Sequence, residues 1–252
     1  MSSFKVASCK ARSADAYNIS KENFVAGISE TVFDPLTLEV IKKISPATVL
    51  DIGAGRGKYA DLVRQVAPTA HIRATEISAE YAAKFELAAK YDDVRVMDAY
   101  DLIHQYKNET YDLVVIGDCI EHLPKSRGLD LLNFLTYRCA YLLVIAPEFS
   151  FYDTAKANMD HHESHISVWS ERDFAWHDRW AWMRSEIMQF FLLRGYQTSA
   201  MPFERLVGDI NASPPHVTRM GTGAPFKPAH LLSNIVSHTE VIDGNSYTYR
   251  NF

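Results

Sequence analysis

The segment Val49-Leu50-Asp51-Ile52-Gly53-Ala54-Gly55-Arg56-Gly57-Lys58 constrains the fold more than any other part of the chain. An apolar run ends in an acid, turns through three alternate glycines and enters the helical pattern Tyr59-Ala60-Asp61-Leu62-Val63. Glycine tolerates positive φ and lets another group approach the backbone, so alternate glycines suit a loop pressed against a ligand. At the carboxyl end of a parallel strand, such a loop is where a nucleotide-like cofactor sits. A dinucleotide fingerprint needs its third glycine at the position of Lys58, whereas this chain places it at Gly57.

Strand-like and helix-like periods alternate from about residue 47 onward, the pattern of a parallel sheet covered on both faces. Thr48–Ile52, His71–Glu76, 94–97, 111–116 and 140–145 read as strands. Lys58–Val66, 79–90 and 125–138 read as helices between them. Residues 171–193 read as one long or two short helices closed by Arg194-Gly195, and 196–200 as a sixth strand. The aromatic run Phe174, Trp176, Trp180, Trp182, Phe190 and Phe191 then reads as the core face of those helices. One domain results: a cap over 1–45 with a helical second half, a core over 46–200, and an extension over 201–252. The extension's prolines argue against long regular elements. The cap and the extension are expected to shape the site of a second ligand beside the glycine loop.

Bulk properties narrow the function. At 252 residues with 47% hydrophobic and 23% charged content, the chain is an ordinary globular one. Its net charge of −5 argues against nonspecific nucleic-acid binding, which needs a dense basic surface. No apolar run reaches the roughly 20 residues that span a bilayer, and Met-Ser-Ser-Phe-Lys lacks a signal-peptide core. Cys9, Cys119 and Cys139 are odd in number and widely spaced, which fits a reducing cytoplasm and structural thiols.

Acids recur at the strand ends. Asp51 precedes the glycines, Glu76 ends the second strand 19 residues past Gly57, Asp98 follows the third, and Asp118 follows the fourth. A phosphate cradle would prefer hydrogen-bond donors, so four acids count against a dinucleotide and favour a cationic ligand. Plainer readings of single residues stay open: Glu76 as a solvated acid before a helix, and Asp98 as an N-cap.

In this order, over roughly residues 46–200, these motifs resemble those of class I S-adenosylmethionine (SAM)-dependent methyltransferases. The resemblance implies an α/β, Rossmann-like doubly wound sheet and SAM as cofactor. It places Gly53, Ala54 and Gly55 against the cofactor, with Asp51 holding the loop and reaching the methionine amino group. Glu76 would accept both ribose hydroxyls, Asp98 would accept the adenine amino group, and Ile77 and Ala99 would lie beside the adenosine. Asp118 would sit near the sulfonium.

The chemical end carries two further segments, Asp118-Cys119-Ile120-Glu121-His122-Leu123-Pro124 and His161-His162-Glu163-Ser164-His165-Ile166-Ser167-Val168-Trp169-Ser170. Ser170 reads as an N-cap with Asp173 completing a capping-box arrangement. As a pair, the segments resemble small bacterial methyltransferases of sugar and surface-glycan pathways, and also the small-RNA 3′-terminal 2′-O-methyltransferases. The second resemblance implies a divalent-metal set of Asp118, Glu121, His122 and His165, whose mixed ligands suit Mn²⁺, Fe²⁺ or Zn²⁺ better than Mg²⁺. The chain departs from the RNA enzymes in having Asp118 where they have Glu, in lacking their accessory RNA modules and in carrying no basic surplus. Three roles for His122 remain open: general base or substrate contact, metal ligand, and structural residue. The leading expectation is transfer of a methyl group from SAM to a small-molecule acceptor, most readily a hydroxyl of a sugar or related metabolite. His122 is the preferred base, assisted by Glu121 or Asp118. An N-methyltransferase and a catalytically silent SAM-binding module are the alternatives.

Overall fold

The computed structural model describes residues 29–149, 164–233, 238–242 and 244–249. The sequence readings at Cys9, His161, His162 and Glu163 lie outside these residues.

The first half alternates as its periodicity requires. Helix α1 (Asp34–Ile44) is followed by β1 (Thr48–Ile52), α2 (Lys58–Val66) and β2 (His71–Glu76). Next come the short helices α3 (Ala79–Lys84) and α4 (Leu87–Lys90), then β3 (Asp93–Val96) and α5 (Leu102–Gln105). Strand β4 (Tyr111–Gly117), helix α6 (Lys125–Thr136) and strand β5 (Cys139–Pro147) complete the parallel part. The single helix expected over 79–90 is broken where Glu86 adopts φ +51, so α3 and α4 are separate turns. The remaining elements are β6 (Trp180–Ser185), β7 (Met188–Arg194), α7 (Phe203–Ala212), β8 (His216–Thr218), β9 (Pro225–Pro228), β10 (Leu232–Ser233), β11 (His238–Ile242) and β12 (Asn245–Tyr249).

The main sheet runs β10-β6-β7-β5-β4-β1-β2-β3, and β8-β9 and β11-β12 form separate pairs. Strands β1 to β5 are parallel, while β7 runs antiparallel to β5 and to β6. Strand order reverses between β1 and β4, which opens a crevice at their carboxyl ends. Alternate residues of β4 feed two cores: Leu113 and Val115 pack towards one face with α1, α2 and α7, and Val114 and Ile116 towards the other with α6. Burial on both faces explains why this strand is nearly continuously apolar.

The second half corrects the sequence reading. Residues 171–193 form no long helix. They make a capped 3-10 turn, Glu171–Phe174, followed by the β6-β7 hairpin, and 196–200 holds no strand. The hairpin splits its bulky residues with period two: Trp180, Trp182, Phe191 and Leu193 enter one core, and Ala181, Met183, Phe190 and Leu192 the other. Trp180, Trp182, Phe190 and Phe191 are therefore core, as expected, but on strands; Phe174 is buried in the 3-10 turn, and Trp176 departs from the expectation, being 42% exposed. With both faces apolar, no polar alternation betrays a strand, and length favours a helix. The capping box itself is present, with Ser170 N donating to Asp173 Oδ2 at 2.8 Å. In the extension, α7 is a regular helix of 10 residues before the prolines take over. No helix among the described residues is long and apolar enough to cross a membrane.

Candidate active site

The loop after β1 turns where the sheet order reverses. Gly53 N and Ala54 N both donate to Thr75 O, at 2.9 and 3.0 Å, which ties the loop to the end of β2. Gly53 has φ +74, and a Cβ there would meet Cys119 Sγ at 2.4 Å. This glycine is required both by its backbone conformation and by its close approach to the strand-four loop.

Glu76 is buried and braces the loop through its side chain. Its Oε2 accepts Gly55 N and its Oε1 accepts Ser78 N, both at 2.9 Å. Asp98 Oδ1 accepts Tyr100 N at 2.9 Å, so the N-cap reading of this residue holds geometrically, while its side chain also lines the crevice. One cavity runs along the crevice. Gly53, Gly55, Glu76, Ile77, Asp98 and Ala99 line one part of it, and Asp118, Cys119 and His122 another. Asp51 and Ala54 lie behind these walls. Asp51 is fully buried, with Oδ2 accepting from the Tyr91 hydroxyl and Oδ1 lacking a partner; burial raises its carboxyl to about 7.

The strand-four end is conformationally unusual. Asp118 sits at φ +50, a region rarely used by residues other than glycine, though Asp tolerates it better than most. Its Oδ2 is buried without a partner, and burial raises its carboxyl to about 7 against the opposing pull of Lys58. The Ser29 side chain and the Glu30 backbone N–H face this carboxyl and favour its ionised form. Gly117, just before it, has no room for a side chain: a Cβ would lie 2.0 Å from the Tyr59 hydroxyl.

Glu121 and His122 occupy the next 3-10 turn, Ile120–His122. The segment 164–170 packs against it: Ile166 N and Ser167 N donate to Glu121 O at 2.9 and 3.0 Å. His122 Nδ1 lies 3.2 Å from Ser164 O. A carbonyl can only accept, so Nδ1 is the donor in this contact, and in the neutral ring Nε2 is then the basic nitrogen. His165 meets His122 edge-on, with ring centroids 4.9 Å apart, and burial together with His122 lowers its imidazole to about 4. Glu121 is buried, its Oε2 has no partner, and burial raises its carboxyl well above the usual range. Ligand atoms of Glu121, His122 and His165 all lie within 4.8 Å of one another. Asp118, the fourth member of the sequence-based metal set, is outside that group and faces Ser29 and Glu30.

Some cavity residues were given no role from the sequence. Tyr81, Leu123, Pro124 and Arg127 line the crevice, and Arg127 lies 5.1 Å from the Tyr100 ring centroid. They come from helix surfaces and turns whose orientation depends on how α3 and α6 dock on the sheet.

Comparison with known proteins bears on the family and the fold. The profile of a family described as "Methyltransferase domain" matches residues 29–177, more than half of the chain. No curated protein matches the chain. Among solved structures, the plantazolicin methyltransferase BpumL in complex with SAH is 12% identical, with a TM-score of 0.50 over 66% of this chain and 85% of that one. An O-methyltransferase family protein from Burkholderia thailandensis is 12% identical, with a TM-score of 0.48 over 66% of this chain. The chain spans about half of that protein's length, 55%. The methyltransferase domain of a bacterial protein, CtHen1-C, is 15% identical, with a TM-score of 0.49 over 66% of this chain and 98% of that one. At such identities the likeness concerns the fold.

Proposed function

The chain belongs to the methyltransferase-domain family, and on that premise we propose that it moves a methyl group from SAM to a hydroxyl of a small-molecule acceptor, a sugar or related metabolite. The observation that carries this reading is the single cavity joining Gly53, Gly55, Glu76 and Asp98 to Asp118 and His122. Its lining residues come from the carboxyl edge of the sheet, where a fold of this kind takes a nucleotide-like cofactor.

In this reading Glu76 receives the ribose hydroxyls, and Asp98 receives the adenine amino group beside Ile77 and Ala99. Gly53, Ala54 and Gly55 form the backbone floor, with Asp51 holding it from behind. The acids surrounding the methionine end suit a ligand that carries a sulfonium and an ammonium. The acceptor oxygen attacks the methyl carbon in line, the carbon–sulfur bond breaks as the carbon–oxygen bond forms, and SAH leaves. The hydroxyl proton passes to His122 Nε2, whose lone pair is secured by the Nδ1 contact to Ser164 O. Alignment supplies much of the rate, and a positioned base contributes on the order of 10²–10⁴. Free thiols at Cys119 and Cys139 accord with a cytoplasmic setting.

A second reading of the same end has its own observation, the grouping of Glu121, His122 and His165. A buried carboxylate and two imidazoles whose ligand atoms lie within 4.8 Å of one another fit Mn²⁺, Fe²⁺ or Zn²⁺. Such an ion would lower the pKa of a coordinated acceptor hydroxyl. His165 then serves as a ligand, and not only as a neighbour of the base.

Isothermal titration with SAH tests the donor half: binding in the micromolar range is expected, and a flat titration in several buffers removes the proposal. Titration with Mn²⁺ separates the two readings of the acceptor half. Binding that His165→Ala abolishes supports the metal reading, and no Mn²⁺ binding leaves His122 as an unassisted base.

A further inference from the structure

Lys58 enters the sequence only as the residue that breaks a dinucleotide motif, yet its amine lies where three parts of the molecule meet. It is the first residue of α2, joined directly to Gly57 of the glycine loop. Its side chain leaves the loop and reaches the N-terminal segment. There Nζ donates to the Glu30 carbonyl and lies 2.6 Å from Asp34 Oδ1, with only 16% of the side chain exposed. The segment so held is short and pinned on its other sides. Ser29 and Glu30 face the Asp118 carboxyl. Thr31 O and Val32 O accept Thr218 Oγ1 and Thr218 N of β8, at 3.1 and 3.0 Å. One strip, residues 29–34, thus separates the glycine loop from the C-terminal β8-β9 pair and backs the acid at the chemical end.

The ordinary alternative is a half-buried ion pair that only adds stability. Two features argue for more. A pair serving stability alone needs one carboxylate, whereas this amine also takes a backbone carbonyl four residues earlier and so fixes the path of the strip. The lysine is also covalently part of the element that the cofactor touches, so whatever immobilises the loop restrains the root of its side chain.

We propose that Lys58 is a positioning residue that couples occupancy of the donor loop to the acceptor-side strip 29–34 and, through it, to β8. The proposal rests on the methyltransferase reading, because SAM or SAH is the ligand whose binding would be transmitted. Filling the donor site then firms the wall against which an acceptor is placed, which favours an order in which the donor binds first. Coupling between sites of this kind is worth about fivefold or more in an equilibrium.

Hydrogen exchange at the Thr218 amide, read with and without saturating SAH, tests the link. In the wild-type chain SAH is expected to slow exchange at Thr218 by about fivefold or more. Lys58→Met is expected to bind SAH and still protect the Gly55 amide, yet lose the slowing at Thr218, and Lys58→Arg is expected to regain it. Should Lys58→Met fail to fold, Asp34→Asn removes the partner from the other side and is expected to weaken the same response. Equal SAH protection of Thr218 in wild type and Lys58→Met overturns the coupling, as does a wild-type chain that binds SAH without any change at Thr218. A wild-type chain that binds no SAH defeats the methyltransferase reading and the coupling with it, so the two failures are told apart by the titration alone.

Discussion

The donor and acceptor ends of the crevice are built from opposite materials. At the donor end the polar groups on the cavity wall already have backbone partners. Glu76 holds Gly55 N and Ser78 N, and Asp98 holds Tyr100 N. At the acceptor end the contacts are distant, as between His122 and Ser164 O, 42 residues apart, and buried oxygens of Asp118 and Glu121 stay unpaired. Asp118 is also held at positive φ. A buried acid without a partner costs free energy until a donor or cation arrives. The donor end is thus preformed, whereas the acceptor end holds a strained backbone and buried carboxyls whose ionisation burial opposes. Such features gather where chemistry happens.

Asp51 tests how far that contrast goes, because it lies at the donor end yet has an unpaired Oδ1. Its folded-state carboxyl is raised by burial from 3.8 to about 7, so the folded chain holds the proton more tightly than the unfolded chain does. Stability from this group is fully present below the unfolded value and is lost as pH rises towards about 7, at up to about 1.4 kcal/mol per pH unit. Urea denaturation of the ligand-free protein is expected to show stability falling between about pH 4 and pH 7, with the slope reduced in Asp51→Asn. An unchanged slope in that variant would put Asp51 among the satisfied donor residues.

Glu76 carries the next largest effect. Removing its carboxylate frees two backbone donors, and charge-assisted bonds of this kind are worth about 1.5–3 kcal/mol each. Glu76→Ala is therefore expected to weaken SAH binding by roughly two orders of magnitude in a titration. A change below about threefold would mean that the loop keeps its shape without Glu76, and the idea of a preformed donor end would fail.

The seam between the two ends gives the smallest change. Gly117→Ala drives a methyl group into the Tyr59 ring, and overpacking of this kind costs about 1–3 kcal/mol. A lower melting temperature with SAH affinity retained would sharpen the comparison by confining the damage to the acceptor side. Loss of both would show that the two ends share one mechanical element.

Legibility followed the same division. Thr48–Ile52, Lys58–Val66 and His71–Glu76 were readable with their bounds, since each is a local pattern with its own start and stop signals. The hairpin β6-β7 was not, because Trp180, Trp182, Phe190 and Phe191 are buried on two faces and leave no polar period. Within the site, Gly53, Glu76 and Asp98 stood out by spacing. Arg127 and Lys58 did not, since their relevance depends on which way a helix faces.

By itself the sequence determined the alternating α/β order, the glycine loop and the acids that follow each strand of the parallel part. These rest on short-range rules: side-chain period, glycine's freedom at positive φ, and the distance between successive strand ends. Only the tertiary structure decided that Glu121, His122 and His165 meet while Asp118 faces Ser29 and Glu30, and that Lys58 reaches across to Asp34. Those meetings join residues far apart in the chain, and their geometry exists only once two cores have set the crevice between β1 and β4.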